Sequence, residues 1–217
     1  MNYDFLDIEI AKDPNTPKEE LERLAKSENP DVLKALASNT NLPASIHIHL
    51  YNLNDFGIKE TLAQNPSTPL EILEKLAFEN PTFEKIVVFN PSVPEELLIK
   101  ILDANPSLAY EIAQKPNLSR NVIERILMLD ALSAKIELAK NRTISEDVLR
   151  ILYSDRDEFV RAVVASNPNA PYEILEDAVF CDNPVVRFGA LKNPNLPDQL
   201  LFIALSCEDD PVVRKTI

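Results

Sequence analysis

His47 and His49 are the first residues to weigh for catalysis or metal binding, because imidazole titrates near neutral pH and ligates metals. Two residues apart in a helical stretch, they point in different directions. That makes them a poor acid–base or ligand pair and places them on a surface or a seam. Gly57 and Gly189 are the only glycines, too few for a loop that cradles phosphate. Cys181 and Cys207 stand 26 residues apart with no histidine paired to either. The carboxylates are spread as solvated faces and not clustered for paired acid–base work. The chain therefore reads as non-enzymatic, with no metal and no cofactor.

Two rows of side chains carry chemistry of another kind. One is a cation that follows the first core residue of the second helix in a repeating unit: Lys59, Lys135, Arg161, Arg187 and Arg214, interrupted by Glu84 and Ala109. Stacked, the last four form a basic ladder that could hold an anion. The competing reading packs each stem on the core, with its charge meeting link carboxylates such as Asp155, Asp182, Asp209 or Asp210. The other row is Phe89, Tyr110, Ile136, Phe159, Val185 and Phe188, facing away from the core stripe of their helices, with Lys85, Lys140 and Lys192 among them. Polar residues would be expected there. An aromatic strip with a basic margin is the chemistry that anchors peptides and protein surfaces; against it stands burial of several of these residues between layers by the curvature of the stack.

Both rows depend on a repeat. An Asn-Pro corner recurs with its Asn position at Asp13, Asn39, Asn65, Asn90, Lys115, Asn141, Asn167 and Asn193, at spacings of 25 or 26 residues. Four residues further on comes Pro17, Pro43, Pro69, Pro94, Pro171 or Pro197, with Ser119 and Ser145 in its place in the fifth and sixth units. Proline has no N–H to leave unsatisfied and a preset φ, so it is predicted at the first helical position. Thr16 with Glu19 and Thr68 with Glu71 have the spacing of a capping box. The recurring Asn is expected to bond backbone across the corner.

After each corner a first helix carries apolar residues three, four, seven and eight positions beyond the proline, as in Ile72, Leu73, Leu76 and Ala77, which draws one stripe. A short link follows. A second helix of about two turns then runs back on core positions such as Val160, Val164 and Ala165, or Val186, Ala190 and Leu191. At that length it depends on packing, and some copies are expected to tighten into 3-10 geometry. The second unit, with His47 and Gly57, is the least regular, and the units without corner proline are where the rod should bend or loosen.

With 17 prolines and two glycines, the chain suits helices joined by stiff links, and strand-like alternation is missing. The whole is read as all-α, one domain over 1–217: a half-repeat cap over 1–12, then eight two-helix repeats over 13–217, the last incomplete. A solenoid end without a polar cap at Ile217 suggests continuation or end-to-end self-association. Equivalent positions on stacked helices lie roughly 8–10 Å apart, so Cys181 and Cys207 are read as buried small residues and not a disulfide.

Net charge is −13, which repels a duplex or an anionic membrane. No apolar run is long enough to span a bilayer, and the first residues lack a signal-peptide pattern; a cytoplasmic location is expected.

The unit Val-Arg-x-x-Val-Ala-x-Asn-Pro-x-x-Pro-x-x-x-Leu at 160–175, and the similar run from Val186-Arg187 to Leu201, resemble the leucine-rich repeat variant family. The resemblance covers nearly the whole chain. It implies a right-handed superhelix of α-helices alternating with short α or 3-10 helices, HEAT-like repeats being the nearest alternative, and it implies little about function. One member type carries a cysteine-ligated iron–sulfur cluster, for which this chain has no cysteine set. The leading expectation is a scaffold that binds a protein or peptide on a concave surface from the third repeat onward. Nucleic-acid or other polyanion binding through the ladder, and a structural self-assembly role, are the alternatives.

Overall fold

The corner decides the architecture. Pro17, Pro43, Pro69, Pro94 and Pro171 each sit one residue before their helix, as the N-cap, with φ between −55° and −75° and ψ between 141° and 162°. This corrects the expectation of a first helical position. The proline carbonyl opens the ladder instead: Pro17 O accepts from Glu20 N and Leu21 N, both at 3.0 Å. With proline as the N-cap, the threonine before it cannot form a capping box. Thr16 Oγ1 donates backward to Ile10 O at 2.6 Å, and Thr68 Oγ1 to Leu62 O at 2.7 Å, so both hydroxyls tie the corner to the helix that precedes it. Ser119 replaces proline by accepting from Val122 N at 3.3 Å, while Ser145 makes no such bond.

The computed structural model describes residues 3–207 and 210–215, without the side chains of residues 3, 4, 205, 207 and 212. The described residues contain helices and no strand, and they fall into two compact units, Met1–Leu108 and Ala109–Ile217. In the first unit, α1 (Tyr3–Lys12) precedes the helix pairs α2 (Lys18–Leu24) and α3 (Pro30–Ala37), α4 (Ala44–Asn52) and α5 (Phe56–Gln64), and α6 (Leu70–Glu79) and α7 (Pro81–Phe89). It ends with α8 (Glu95–Ala104) and a 3-10 turn, Pro106–Leu108. The second unit holds α9 (Ala109–Ala113), then α10 (Arg120–Met128) with α11 (Leu132–Lys140), and α12 (Glu146–Tyr153) with α13 (Glu158–Ser166). It continues through α14 (Tyr172–Phe180) with α15 (Pro184–Leu191), and α16 (Asp198–Cys207) with α17 (Pro211–Arg214).

We call the helix after each corner an A helix and the returning one a B helix. Within each unit, B helices stack on B helices: α1, α3, α5 and α7 in the first, and α9, α11, α13, α15 and α17 in the second. The all-helical repeat stack is a solenoid arrangement in each unit. The B helices are α-helical over eight or nine residues in α3, α5, α7, α11, α13 and α15. The 3-10 geometry expected for several copies is confined, among the described residues, to Pro106–Leu108.

B helices begin differently from A helices. Asn29, Asn80 and Asn183 cap α3, α7 and α15 by accepting from the N–H two residues on, with Pro30, Pro81 and Pro184 opening the helix itself. Without proline, Asp55 caps α5 by accepting from Ile58 N and Asp157 caps α13 by accepting from Phe159 N and Val160 N. An N-cap of this kind contributes about 1 kcal/mol.

The predicted stripes form the core. Ile72, Leu73, Leu76 and Ala77 are buried, as are Val160, Val164 and Ala165, and Val186 with Ala190; Leu191 is half-buried. Fully burying each leucine or isoleucine contributes roughly 1.5–3 kcal/mol. The second repeat departs from the sequence reading at His47. It is fully buried because it occupies the stripe position held by Leu21, Leu73 and Leu98 in other repeats. Its Nδ1 lies 3.3 Å from Pro43 O, while Nε2 has no hydrogen-bond partner. His49 is exposed, with Nε2 3.0 Å from Ala25 O. Cys181 is a free thiol, half-buried where full burial was expected; the side chain of Cys207, and Asp209 and Ile217, lie outside the described residues.

The recurring Asn does more than bridge its own corner. Its Oδ1 accepts from the N–H two residues on, as expected, while Nδ2 donates to two carbonyls of the preceding repeat. Asn39 reaches Ala11 O and Asp13 O at 2.9 and 2.8 Å, and Asn65 reaches Ala37 O and Asn39 O, both at 2.8 Å. Asn90, Asn141, Asn167 and Asn193 repeat the pattern. A second rung lies two residues further on, where Asn41 Nδ2 donates to Pro14 O at 2.9 Å and Asn195 Nδ2 to Pro168 O at 2.8 Å.

Candidate partner-binding face

The cation row is built into the link between the A and B helices. Lys59 and Lys135 are buried. Lys59 Nζ donates to Asn54 Oδ1 at 2.6 Å and pairs with Glu79, and Lys135 pairs with Asp130 and, at 2.6 Å, with Asp155. Asn54 and Asp130 have positive φ, 57° and 50°, a left-handed conformation that Asn and Asp tolerate best. Where the row carries arginine, the link offers backbone carbonyls. Arg161 donates to Asp155 O and Arg156 O at 2.8 and 3.2 Å, and Arg187 to Cys181 O and Asp182 O at 2.8 and 2.9 Å. These carbonyls lie just past the C-terminal ends of α12 and α14, where a cation also meets the negative end of the helix dipole. Even Glu84, at the same repeat position, follows the rule with reversed polarity: it is buried and accepts from Asn105 Nδ2 at 2.9 Å. Arg214 is exposed at the end of α17.

The aromatic row lies elsewhere on the B helices, at positions eight, five and one residue before the corner Asn. Their spacing of three and then four residues puts them on one helix face. In the second unit Tyr110 is 40% exposed, Phe159 56% and Phe188 36%, with Ile136 and Val185 half-buried. Phe89 belongs to α7 of the first unit and is 48% exposed. The three outward positions hold Ser133, Ile136 and Lys140 in α11; Phe159, Ala162 and Ser166 in α13; and Val185, Phe188 and Lys192 at α15. No carboxylate occupies any of them. In the first unit the same positions include Asp31 and Glu60.

Ala162 is buried because α15 lies directly against it. A Cβ built on Gly189 would fall 2.1 Å from Ala162 O, so the two backbones touch where a side chain cannot fit. Beyond α15, an open groove is lined by Pro184, Val185, Phe188, Asp210 and Val213. Lys192 Nζ sits 5.3 Å from the centre of the Phe188 ring, a cation–π distance. Lys140 pairs with Glu137 at 2.7 Å.

Sequence reasoning missed a second set of exposed apolar residues, on the A helices. Phe78, Met128 and Phe180 share one repeat position, 13 residues after the corner, and Met128 is 74% exposed. The signal was there, one residue past the stripe. In the second unit this row alternates with Ser154 and Ser206, so its apolar members are not neighbours, whereas the B-helix face is apolar in successive repeats.

Among the described residues no three His, Cys, Asp or Glu are placed to hold a metal ion, and no helix is long and apolar enough to cross a membrane.

The chain is similar to a solved structure described as a leucine-rich repeat variant with a novel repetitive protein structural motif, at 22% identity and a TM-score of 0.41, over 98% of this chain and 79% of that one. The sequence resemblance names the same kind of repeat. No protein-family model and no curated protein matches the chain.

Proposed function

We propose that this chain is a non-catalytic helical-repeat scaffold that binds a protein or peptide through the outward face of its second-unit B helices. The observation that carries the reading is the run of outward apolar residues in successive B helices, Ile136, Phe159, Val185 and Phe188, with no carboxylate among them in a chain of net charge −13. An exposed aromatic in a packed, repeated setting is the usual anchor of an interface.

The polyanion reading has less support. Lys135 pairs with carboxylates in its own link and the next, and Arg161 and Arg187 donate to the links of their own repeats, which leaves Arg214 as the exposed member of the ladder.

Site-specific photocrosslinking tests the proposal. A benzophenone side chain at position 159 or 188 is expected to give discrete adducts in a cell extract, and one at position 128, on an A helix, is not. Equal labelling at all three positions would remove the preference for the B face.

A further inference from the structure

Resting on that reading, we propose that the partner segment is acidic: a peptide with aromatic or aliphatic anchors set among aspartates and glutamates. Charge is complementary to such a peptide at one face of a molecule that otherwise repels it. Of the outward positions on α11, α13 and α15, two carry cations and none carries an anion. Lys140 is exposed while its partner Glu137, on the same helix, is mostly buried; an ammonium has three donors, so Lys140 can share one with an incoming carboxylate without releasing Glu137. Lys192 stands over the Phe188 ring, so a carboxylate and an adjacent apolar side chain would meet a cation and an aromatic surface together. Arg214 and Lys215, both exposed, extend the positive margin beyond the groove at Val185 and Val213.

The carboxylates that border the face are held in the fold. Asp210 accepts from Val213 N at 3.1 Å as the cap of α17, Glu137 is engaged with Lys140, and Glu158 is half-buried in the first turn of α13. Stacked helices lie roughly 8–10 Å apart, so anchors on the peptide should be spaced to match, one per repeat. Opposite charge around apolar anchors selects among peptides and raises their association rate more than it raises raw affinity.

The test is selection of a random 16-residue peptide library on the immobilised full chain, followed by fluorescence anisotropy of the winners. We expect net-negative sequences with at least one aromatic residue or leucine. Their affinity should fall tenfold or more with Lys140→Glu plus Lys192→Glu, and again with Phe159→Asp, while the far-UV circular dichroism melt stays unchanged. Raising salt should weaken them, and replacing their acids by lysine should abolish binding. Neutral or basic winners that still depend on Phe159 would overturn the charge assignment and leave the partner-binding face standing. Failure to recover any Phe159-dependent peptide would overturn both. Oligo(dT) binding as tight as the best peptide, or a concentration-dependent dimer lost in the Lys140/Lys192 variant, would assign the cations to a polyanion or to a second copy and so sink the proposal.

Discussion

A buried asparagine amide has four hydrogen-bonding sites, and Asn167 uses three of them, two to join the preceding repeat and one within its own corner. Its Nδ2 donates to Ala139 O and Asn141 O at 2.7 and 3.3 Å, and its Oδ1 accepts from Asn169 N at 2.8 Å. Replacing it by Ala leaves buried backbone groups unsatisfied, each costing about 1–3 kcal/mol. Asn167→Ala is therefore expected to lower second-unit stability by about 3 kcal/mol in chemical denaturation, and Asn167→Asp, which keeps the acceptor and loses both donors, should recover little of it. His47 gives a prediction of opposite origin. Burial holds its imidazole below the usual histidine pKa of 6.5, outweighing its backbone hydrogen bonds. A base with a depressed folded pKa takes up its proton more readily when unfolded. Stability is thus full above about pH 6.5 and declines as pH falls through that value toward the lower folded one. Amide protection in the first unit, corrected for the intrinsic slowing of exchange at lower pH, should fall between pH 7 and 5, and His47→Leu should flatten that dependence.

Elements here are set by rules that one sequence partly displays. The A-helix stripes and the B-helix core positions were legible because an apolar period survives repetition. The partners of the polar residues were not. Thr16-x-x-Glu19 has the spacing of a capping box, yet Pro17 takes the N-cap place and turns the hydroxyl backward. Spacing locates a side chain on its helix and says nothing of the next layer, which is why the amide of Asn39 was read within its corner while two of its three bonds lie in the preceding layer. His47 was read on a surface or a seam for a related reason: its polarity was weighed ahead of its repeat position, which belongs to the core, and position decided. The aromatic row was legible as a face because residues three and four apart share one. At Gly189 the contact of α15 with α13 leaves no space for a methyl group against the Ala162 carbonyl. Backbone must move to admit one, and overpacking of this kind costs typically 1–3 kcal/mol. Gly189→Ala should sit at the upper end of that range in thermal unfolding, and Ala162→Gly should not rescue it, because the obstacle is the carbonyl and not the Ala162 side chain.

At the scale of the molecule, charge sets the company the protein can keep. The first 108 residues carry 9 basic and 18 acidic side chains, and the remainder 13 and 17. Long-range attraction to a phosphate backbone is absent from that balance, and the cation row is committed to the links. Binding to a 20-base duplex or single strand in a filter assay at about 20 mM salt is expected to be weak and insensitive to Arg161→Glu plus Arg187→Glu beyond the loss of stability. A steep salt dependence removed by that pair would return the ladder to consideration.

The corner amides all look the same way along the chain. Each donates to carbonyls made some 26 residues earlier, so a repeat leaving the ribosome finds the acceptors for its corner amide already in place. Assembly can therefore proceed vectorially during synthesis, each new layer latching onto a finished one, and an amino-terminal fragment cut between layers should hold its last latch closed while a carboxy-terminal fragment begins with one left open.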